Sequence, residues 1–218
     1  MDRETQDSPE GPATPERLLD AAEEIFAREG YETASVRDIT QRAGCNLAAV
    51  NYHFGSKENL YREVLGRLLK WLRDYRLAGI HEVKERPEAT LEDVLHTFSK
   101  VFLEPLVEAD RGPRVMQLFL WEMLQPRLPE GMVVTELVDP IVTAFSGALE
   151  RPCPTLGTES RKLCTLSLVG QLIHALQAAR LFSTKGRQDT PVNDLQDVMA
   201  HIVRFTAAGM RDRASLDA

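Results

Sequence analysis

The chain has 218 residues, 43% of them hydrophobic, and a formal net charge of −7. This length allows one compact domain or two small ones with a sizeable core. No run of residues approaches the length of an apolar membrane-spanning helix, and the acidic N-terminus lacks the apolar segment of a secretory signal. We therefore expect a cytoplasmic protein whose three cysteines are reduced thiols.

The chain begins with a polar segment, residues 1–13, which contains Pro and Gly and predicts a disordered tail. Thr14 followed by Pro15 is typical of a helix start. Apolar residues then recur at helical spacing up to Gly30, where the first helix is expected to end.

Residues 33–61 predict two short helices joined by a glycine turn. Ser35 and Asp38 form a capping box for the first, and Gly44 suits its end. Asn46 is expected to cap the second helix of this pair, which runs from Leu47 to Phe54. A longer helix begins at Lys57. This geometry places a second helix in the major groove of DNA.

The distribution of charge supports this interpretation. Residues 35–76 carry 8 Lys/Arg against 4 Asp/Glu, a net of +4, whereas residues 1–34 carry −7 and residues 77–218 carry −4. Local charge governs phosphate contact more than the total does. The alternative is that the basic residues of the following helix only solvate its surface; these are Arg67, Lys70, Arg73 and Arg76.

The rest of the chain remains helical in pattern and shows no strand-like alternation, so we predict an all-α fold. Gly66, in the helix that begins at Lys57, is explained either by close packing or as a flexible point. Thr90 and Asp93 predict another capping box, and Pro140 should bend or divide its helix. The expected helices cover residues 57–86, 91–106, 114–125, 131–149, 159–182 and 192–211.

The second helix of the pair and its neighbours supply the candidate DNA contacts. Tyr52, His53 and Lys57 suit phosphate oxygens near a helix N-terminus, and Ser35 and Arg37 suit the backbone across the groove. Side chains on the outer face are suited to base edges, since alanine can meet a thymine methyl and asparagine can bond adenine. These are Ala48, Ala49 and Asn51, with Asn46 and Leu47 at the start of the same helix.

A second set of residues could contact a small molecule. Met116, Phe119, Leu120 and Met123 form a Met- and aromatic-rich segment, which suits either varied apolar ligands or an ordinary core. Polar groups within apolar helical runs could anchor a ligand or make satisfied core hydrogen bonds; these are His96, Glu122, Gln171 and His174. The histidines lack metal-ligand spacing and no catalytic or phosphate-loop motif is visible. We therefore predict no metal, no cofactor and no enzymatic activity.

The segment LLDAAEEIFAREGYETASVRDITQRAGCNLAAVNYHFGSKENLY, residues 18–61, resembles the DNA-binding domain of the tetracycline-repressor (TetR) family. Thr40, Cys45 and Asn51 depart from the commonest family pattern, and Asn51 bears on which operator is recognised. The resemblance implies a bacterial cytosolic or nucleoid regulator with a three-helix helix-turn-helix domain over residues 14–60. It also implies a helical effector-binding and dimerisation domain over residues 61–218.

The resemblance further implies the partners. We expect a repressor that binds a palindromic double-stranded DNA operator and is released by a small apolar effector. The last two helices, by their pattern alone, fit either an internal hairpin or an interface between subunits, and the resemblance favours a homodimer. Two other classes remain open: a small-molecule carrier or buffering protein that has kept the fold without DNA function, and a helical enzyme.

Overall fold

The computed structural model describes residues 14–183 and 194–217, and within these ranges all regular elements are helices. The prediction of an all-α fold is confirmed; the predicted tail and the connection before the last helix lie outside the described residues. None of the described helices is long and apolar enough to cross a membrane. The helices are α1 Thr14–Thr33, α2 Val36–Arg42, α3 Ala48–Phe54, α4 Lys57–Glu85, α5 Leu91–Val107, α6 Gly112–Leu124, a π-helix Val134–Val138, α7 Asp139–Leu149, α8 Thr158–Ser183 and α9 Leu195–Asp217.

The chain divides into two compact units. The N-terminal unit holds the described residues up to 68 together with 114–128, and the C-terminal unit holds 69–113 and the described residues from 129 onward. Helix α4 contributes residues to both units. This division differs from the predicted boundary after residue 60, because α6 belongs with the helix-turn-helix and not with the rest of the C-terminal helices.

Helix α6 packs on α1 within the N-terminal unit. The Trp121 indole N–H donates to the Ala27 carbonyl at 3.2 Å. Its ring lies so close to Gly30 that a Cβ there would sit 3.2 Å from the ring. Gly30 also has φ 75°, a backbone conformation that favours glycine. Two independent constraints therefore select glycine at the position where regular α1 geometry ends.

Local capping explains several helix starts. Thr90 and Asp93 form the full reciprocal box, so this predicted box is confirmed. At α2 the Ser35 hydroxyl accepts the Asp38 N–H at 3.1 Å, which confirms Ser35 as the cap, but the Asp38 carboxylate bonds the Ser35 hydroxyl and not its backbone N–H, so the box is not reciprocal. The predicted side-chain cap by Asn46 is wrong. Leu47 occupies the N-cap position of α3, and Asn46 takes part through its carbonyl, which accepts the Ala49 N–H at 3.1 Å.

The C-terminal unit is built around α5, which packs on α7, α8 and α9. Phe98 and Phe145, both fully buried, meet with ring centroids 4.1 Å apart. Pro140 stands in the first turn of α7, directly after the π-helix, so the predicted helix is not divided but changes from π to α geometry beside this proline. On α9, Ile202 is buried in this core while Phe205 is exposed, so the apolar residues of this helix serve two different surfaces.

Candidate nucleic-acid interface

The turn between α2 and α3 is fixed by its backbone. Gly44 has φ 65°, and the Cys45 N–H donates to the Thr40 carbonyl at 2.9 Å. Ile39 of α2 and Val50 of α3 are fully buried and anchor the two helices to the unit's core. The inward face of α3 is thereby held in place, and its opposite face is left to solvent.

The outer face of α3 carries most of the predicted DNA contacts. Tyr52 is 84% exposed, and Leu47, Ala48, Asn51 and His53 are exposed as well. The rings of Tyr52 and His53 meet edge to face with centroids 4.8 Å apart. A tyrosine this exposed contributes little to the unit's own core, which makes it available to a partner.

Ala49 does not share this exposure. It is 8% exposed, whereas Ala48 and Asn51 are exposed, so its methyl group is buried in the unit. The structure therefore does not support the predicted contact between Ala49 and a base edge. The sequence pattern placed it outward because an alanine fits either face of a short helix.

The basic and hydroxyl groups beside α3 differ in how free they are. Arg37 is exposed and forms no ion pair with the described part of the chain. The Ser35 hydroxyl donates to Asp38 Oδ2 at 2.6 Å and is occupied with capping. The Lys57 ammonium donates to the Glu32 carbonyl at 3.3 Å and lies 4.5 Å from the Tyr31 ring centroid. Partial burial lowers the pKa of Lys57.

Arg127 is a basic residue of the N-terminal unit that the sequence pattern does not single out. Its guanidinium lies 4.7 Å from the Tyr31 ring centroid and pairs with Glu32. The Tyr31 ring and Glu32 thus each contact both Arg127 and Lys57. No signal in the sequence links residue 127 to the helix-turn-helix, because it follows α6, far along the chain.

The basic residues of α4 from Arg62 to Arg76 are engaged within the chain. Arg67 pairs with Asp20 at 2.7 Å, Lys70 with Asp74, and Arg73 with Glu136 at 3.0 Å. Arg76 is 6% exposed and so does not solvate the helix surface. The helix surface is therefore less positive than the count of its Lys and Arg residues indicates.

The eight residues predicted to contact a ligand are divided between the two units. Five lie on α6 in the N-terminal unit, where Met116 and Phe119 are half-buried, Leu120 is exposed and Met123 is 80% exposed. In the C-terminal unit, His174 is exposed, and the Gln171 amide donates to the Ser167 carbonyl of its own helix at 3.2 Å. His96 lines an open groove of about 460 Å³ between α4 and α5.

Glu122, the fifth residue on α6, is only 8% exposed and its carboxylate is occupied. One oxygen accepts the hydroxyl of buried Tyr61 at 3.2 Å. The other accepts the N–H groups of Arg127 and Leu128 at 2.9 and 2.8 Å. These contacts favour the alternative in which Glu122 makes satisfied core hydrogen bonds.

Other chemistry finds little support in the described residues. No three His, Cys, Asp or Glu side chains within them come together as metal ligands would. Cys45, Cys153 and Cys164 are free thiols. The site that stands out is the exposed face of α3, held on a capped helix-turn-helix. The fold and this site define a helix-turn-helix protein of the kind that reads DNA with its second helix.

Comparison with known proteins agrees with this class. The family model described as bacterial regulatory proteins, tetR family, matches residues 18–64, and a tetracyclin repressor-like C-terminal domain matches residues 96–209. The chain belongs to the tetR family of bacterial regulatory proteins.

Individual relatives are transcriptional regulators. The chain is 40% identical over 132 residues to the HTH-type transcriptional repressor KstR2 of Mycolicibacterium smegmatis, a region that covers 57% of this chain and 62% of that repressor. It is 26% identical over 152 residues to the regulator UidR of Escherichia coli K12, covering 64% and 77% of the two chains. A TetR regulator structure from Legionella pneumophila shares the fold, with a TM-score of 0.63, 20% identity, and coverage of 92% and 98%.

Proposed function

We propose that this chain is a ligand-responsive transcriptional repressor that binds a palindromic DNA operator as a homodimer and is released by a small, mainly apolar effector. The observation that carries this proposal is the exposed outer face of α3, whose inward face is anchored in the core of the N-terminal unit by Val50. Family membership supports it, since repressors of this family bind operators and effectors and act as dimers.

The outer face of α3 enters the major groove. Asn51 bonds an adenine through its amide, and Ala48 meets a thymine methyl. Tyr52, His53 and Lys57 donate to phosphates on one side of the groove, and Arg37 does so on the other. Lys57 is already held beside the start of α4, so phosphate contact requires only its flexible end to turn outward.

Two stripes of exposed residues support dimerisation through α8 and α9. Leu163, Leu166 and Leu181 are exposed along one side of α8, with solvent-facing Gly170 between them. On α9, the exposed residues Phe205 and Leu216 flank Gly209, which also has open space beside it. Large apolar groups on either side of a glycine let a second pair of helices approach closely. The two pairs would form a four-helix interface.

Release of DNA follows from a shift between conformers. An effector that binds more tightly to the conformer with wrongly spaced recognition helices draws the population away from the DNA-binding state. The coupling is reciprocal, so the operator weakens effector binding by the same factor. Helix α4 is the element suited to this role, because it begins beside α3 and continues into the C-terminal unit. Contact between the effector and the predicted residues on α6, α5 and α8 stays a prediction.

DNA binding is tested on a duplex selected by the protein from a random-sequence library, with fluorescence anisotropy at several salt concentrations. Asn51→Ala should change the preference at one base position and cost about 1–3 kcal/mol. Lys57→Ala should weaken all duplexes similarly, and Lys70→Ala is the matched control because Lys70 pairs with Asp74 outside the interface.

The outcomes discriminate between the candidate classes. If both Asn51→Ala and Lys57→Ala bind the selected duplex like wild type, the assignment of α3 as the recognition helix is wrong. A protein that selects no duplex but binds small apolar molecules is instead the carrier or buffering protein.

A further inference from the structure

Arg76 of α4 is a buried cation that lacks a carboxylate partner among the described residues. It is 6% exposed, and its hydrogen bond is a long one, from Nη2 to the Phe102 carbonyl at 3.4 Å. The guanidinium carbon lies 4.3 Å from the centroid of the Phe102 ring. Its Nε is buried and makes no hydrogen bond within the described part of the chain.

Other arginines with a buried, unbonded Nε are different. Each of them pairs through another nitrogen with a carboxylate, so its charge is compensated. These are Arg62, Arg67, Arg114 and Arg161. An orphaned Nε by itself is therefore ordinary in this chain, whereas an orphaned charge distinguishes Arg76.

The acidic side chains of the neighbouring segments pair with other residues and not with Arg76. Glu104 accepts the Tyr75 hydroxyl at 2.5 Å and pairs with Lys100 at 3.7 Å. Glu136 and Asp74 pair with Arg73. Burial alone lowers the pKa of Arg76 to about 10, with no contribution from a nearby acid. The group still carries its proton at neutral pH, so the buried charge persists.

An uncompensated charge at this place destabilises the free protein, and an apolar side chain of similar length would avoid that cost. The neighbours along the helix are apolar, since Leu72 and Ile80 are fully buried. Because one face of the guanidinium stacks on Phe102, its edge remains as the donor surface. That planar edge matches the two oxygens of a carboxylate or a phosphate.

We propose that Arg76 is an anion-binding anchor in the C-terminal unit, and that the effector is a small, otherwise apolar molecule bearing a carboxylate or a phosphate. That such a ligand acts as the effector rests on the proposed function. The inference narrows the chemical class of the effector from an apolar molecule to an amphipathic anion. The apolar surroundings take the body of the molecule, and Arg76 takes its charged end.

The test measures the melting temperature of the full chain with probes that share one tail and differ in head group. The probes are octanoate, octyl phosphate, octanol and octyltrimethylammonium, at equal concentration below micelle formation, with benzoate and benzyl alcohol as an aromatic pair. A ligand that binds the folded state raises the melting temperature by mass action. We expect the anions to raise it more than the neutral and cationic probes, and the better of octanoate and octyl phosphate identifies the head group.

Variants separate anchoring from packing. Arg76→Met should weaken binding of the anionic probes on the order of tenfold while leaving the free protein at least as stable as wild type. Arg76→Lys should keep part of the preference, since it keeps the charge but loses the planar edge. The matched control is Arg73→Met, which breaks the pair with Glu136 and should lower stability without changing the preference for anions.

The proposal is overturned if neither anion type stabilises wild type more than its neutral analogue, or if Arg76→Met keeps the preference. A fall in the stability of free Arg76→Met, with no change in anion binding, shows that the arginine only packs on Phe102. Operator binding is measured separately on the selected duplex. A chain that fails to bind DNA but prefers anions through Arg76 refutes the proposed function and leaves this site standing.

Discussion

The contact between Tyr61 and Glu122 offers a direct test of what α6 does. Tyr61 is 1% exposed, and burial, followed by the charge of Glu122, raises its pKa, so the hydroxyl remains a donor. Replacing Glu122 by alanine leaves this hydroxyl without an acceptor and frees the N–H groups of Arg127 and Leu128. A buried polar group left unsatisfied costs about 1–3 kcal/mol.

The expected size of the effect follows from the exposure of each group. The two N–H groups belong to half-buried residues, so water compensates part of their loss, whereas the Tyr61 hydroxyl has no access to water. We expect Glu122→Ala to lower the free energy of unfolding by about 2–4 kcal/mol. Tyr61→Phe removes only the 3.2 Å bond, which is long for a hydroxyl donor, and should cost about 1 kcal/mol.

Glu122→Gln is the matched control. Its carbonyl oxygen still accepts the two N–H groups, and its amide can donate to the Tyr61 oxygen, so we expect a loss of about 1 kcal/mol or less. The assay is urea unfolding followed by circular dichroism, at one protein concentration because a dimer's stability depends on concentration.

The result that would refute this reasoning is a Glu122→Ala loss below about 0.5 kcal/mol, the range of ordinary surface substitutions. Equal losses for the alanine and glutamine variants would show instead that the negative charge matters more than the hydrogen bonds. If effector response changed while stability did not, Glu122 would be a ligand contact after all.

Three further predictions follow from single positions. Phe205→Asp should convert the dimer to monomer in light scattering at micromolar concentration, and a monomeric wild type would contradict the proposed interface. Gly66→Ala should stabilise by up to about 1 kcal/mol, because no atom lies within 4 Å of its added Cβ; Gly79→Ala should cost about 1–3 kcal/mol, because its Cβ would meet a valine at 2.5 Å. Hydrogen bonds from Thr90 hold the pKa of the Asp93 carboxyl below its usual value. The resulting stabilisation is present above the pKa of about 3.9 in the unfolded chain and is lost as the pH falls through the lower pKa of the folded protein. In melting curves recorded across acidic pH, Asp93→Asn should therefore show a smaller fall in melting temperature than wild type.

The helix boundaries were predictable because their causes are local. A serine or threonine and an acid three residues apart satisfy orphan N–H groups wherever the helix packs, as at Ser35 and Thr90. Gly44 and Pro140 act through their own backbone. The exposed face of α3 was predictable for the same reason, except at Ala49, whose small side chain gives no preference between the two faces.

The place of α6 was not predictable, because helical periodicity indicates that a face is buried without identifying what covers it. Trp121 bonds to a carbonyl 94 residues earlier, and Glu122 reaches a tyrosine 61 residues earlier. A Met- and aromatic-rich helix has the same pattern whether it packs on α1 or lines a ligand pocket. Only the tertiary contacts separate the two, and they assign this helix to the unit that contains α3.

The number of Lys and Arg residues in α4 does not show which of them are paired in the fold. The pairing seen in the structure leads to a prediction about DNA binding. Ion pairs or burial engage the basic residues of α4 from Arg62 to Arg76. Among the described residues, Arg37 and Lys57 are the two cations that the proposed function assigns to phosphates, which makes four in a dimer. Counterion release then gives a slope of log K against log salt of about −3.6. Anisotropy titrations of the selected duplex over a range of salt measure this slope, and Lys57→Ala should reduce its size by about 2 in the dimer. A slope near −8 would show that the cations of α4 leave their partners to contact DNA, and the interface would then be larger than α3 and its two neighbours.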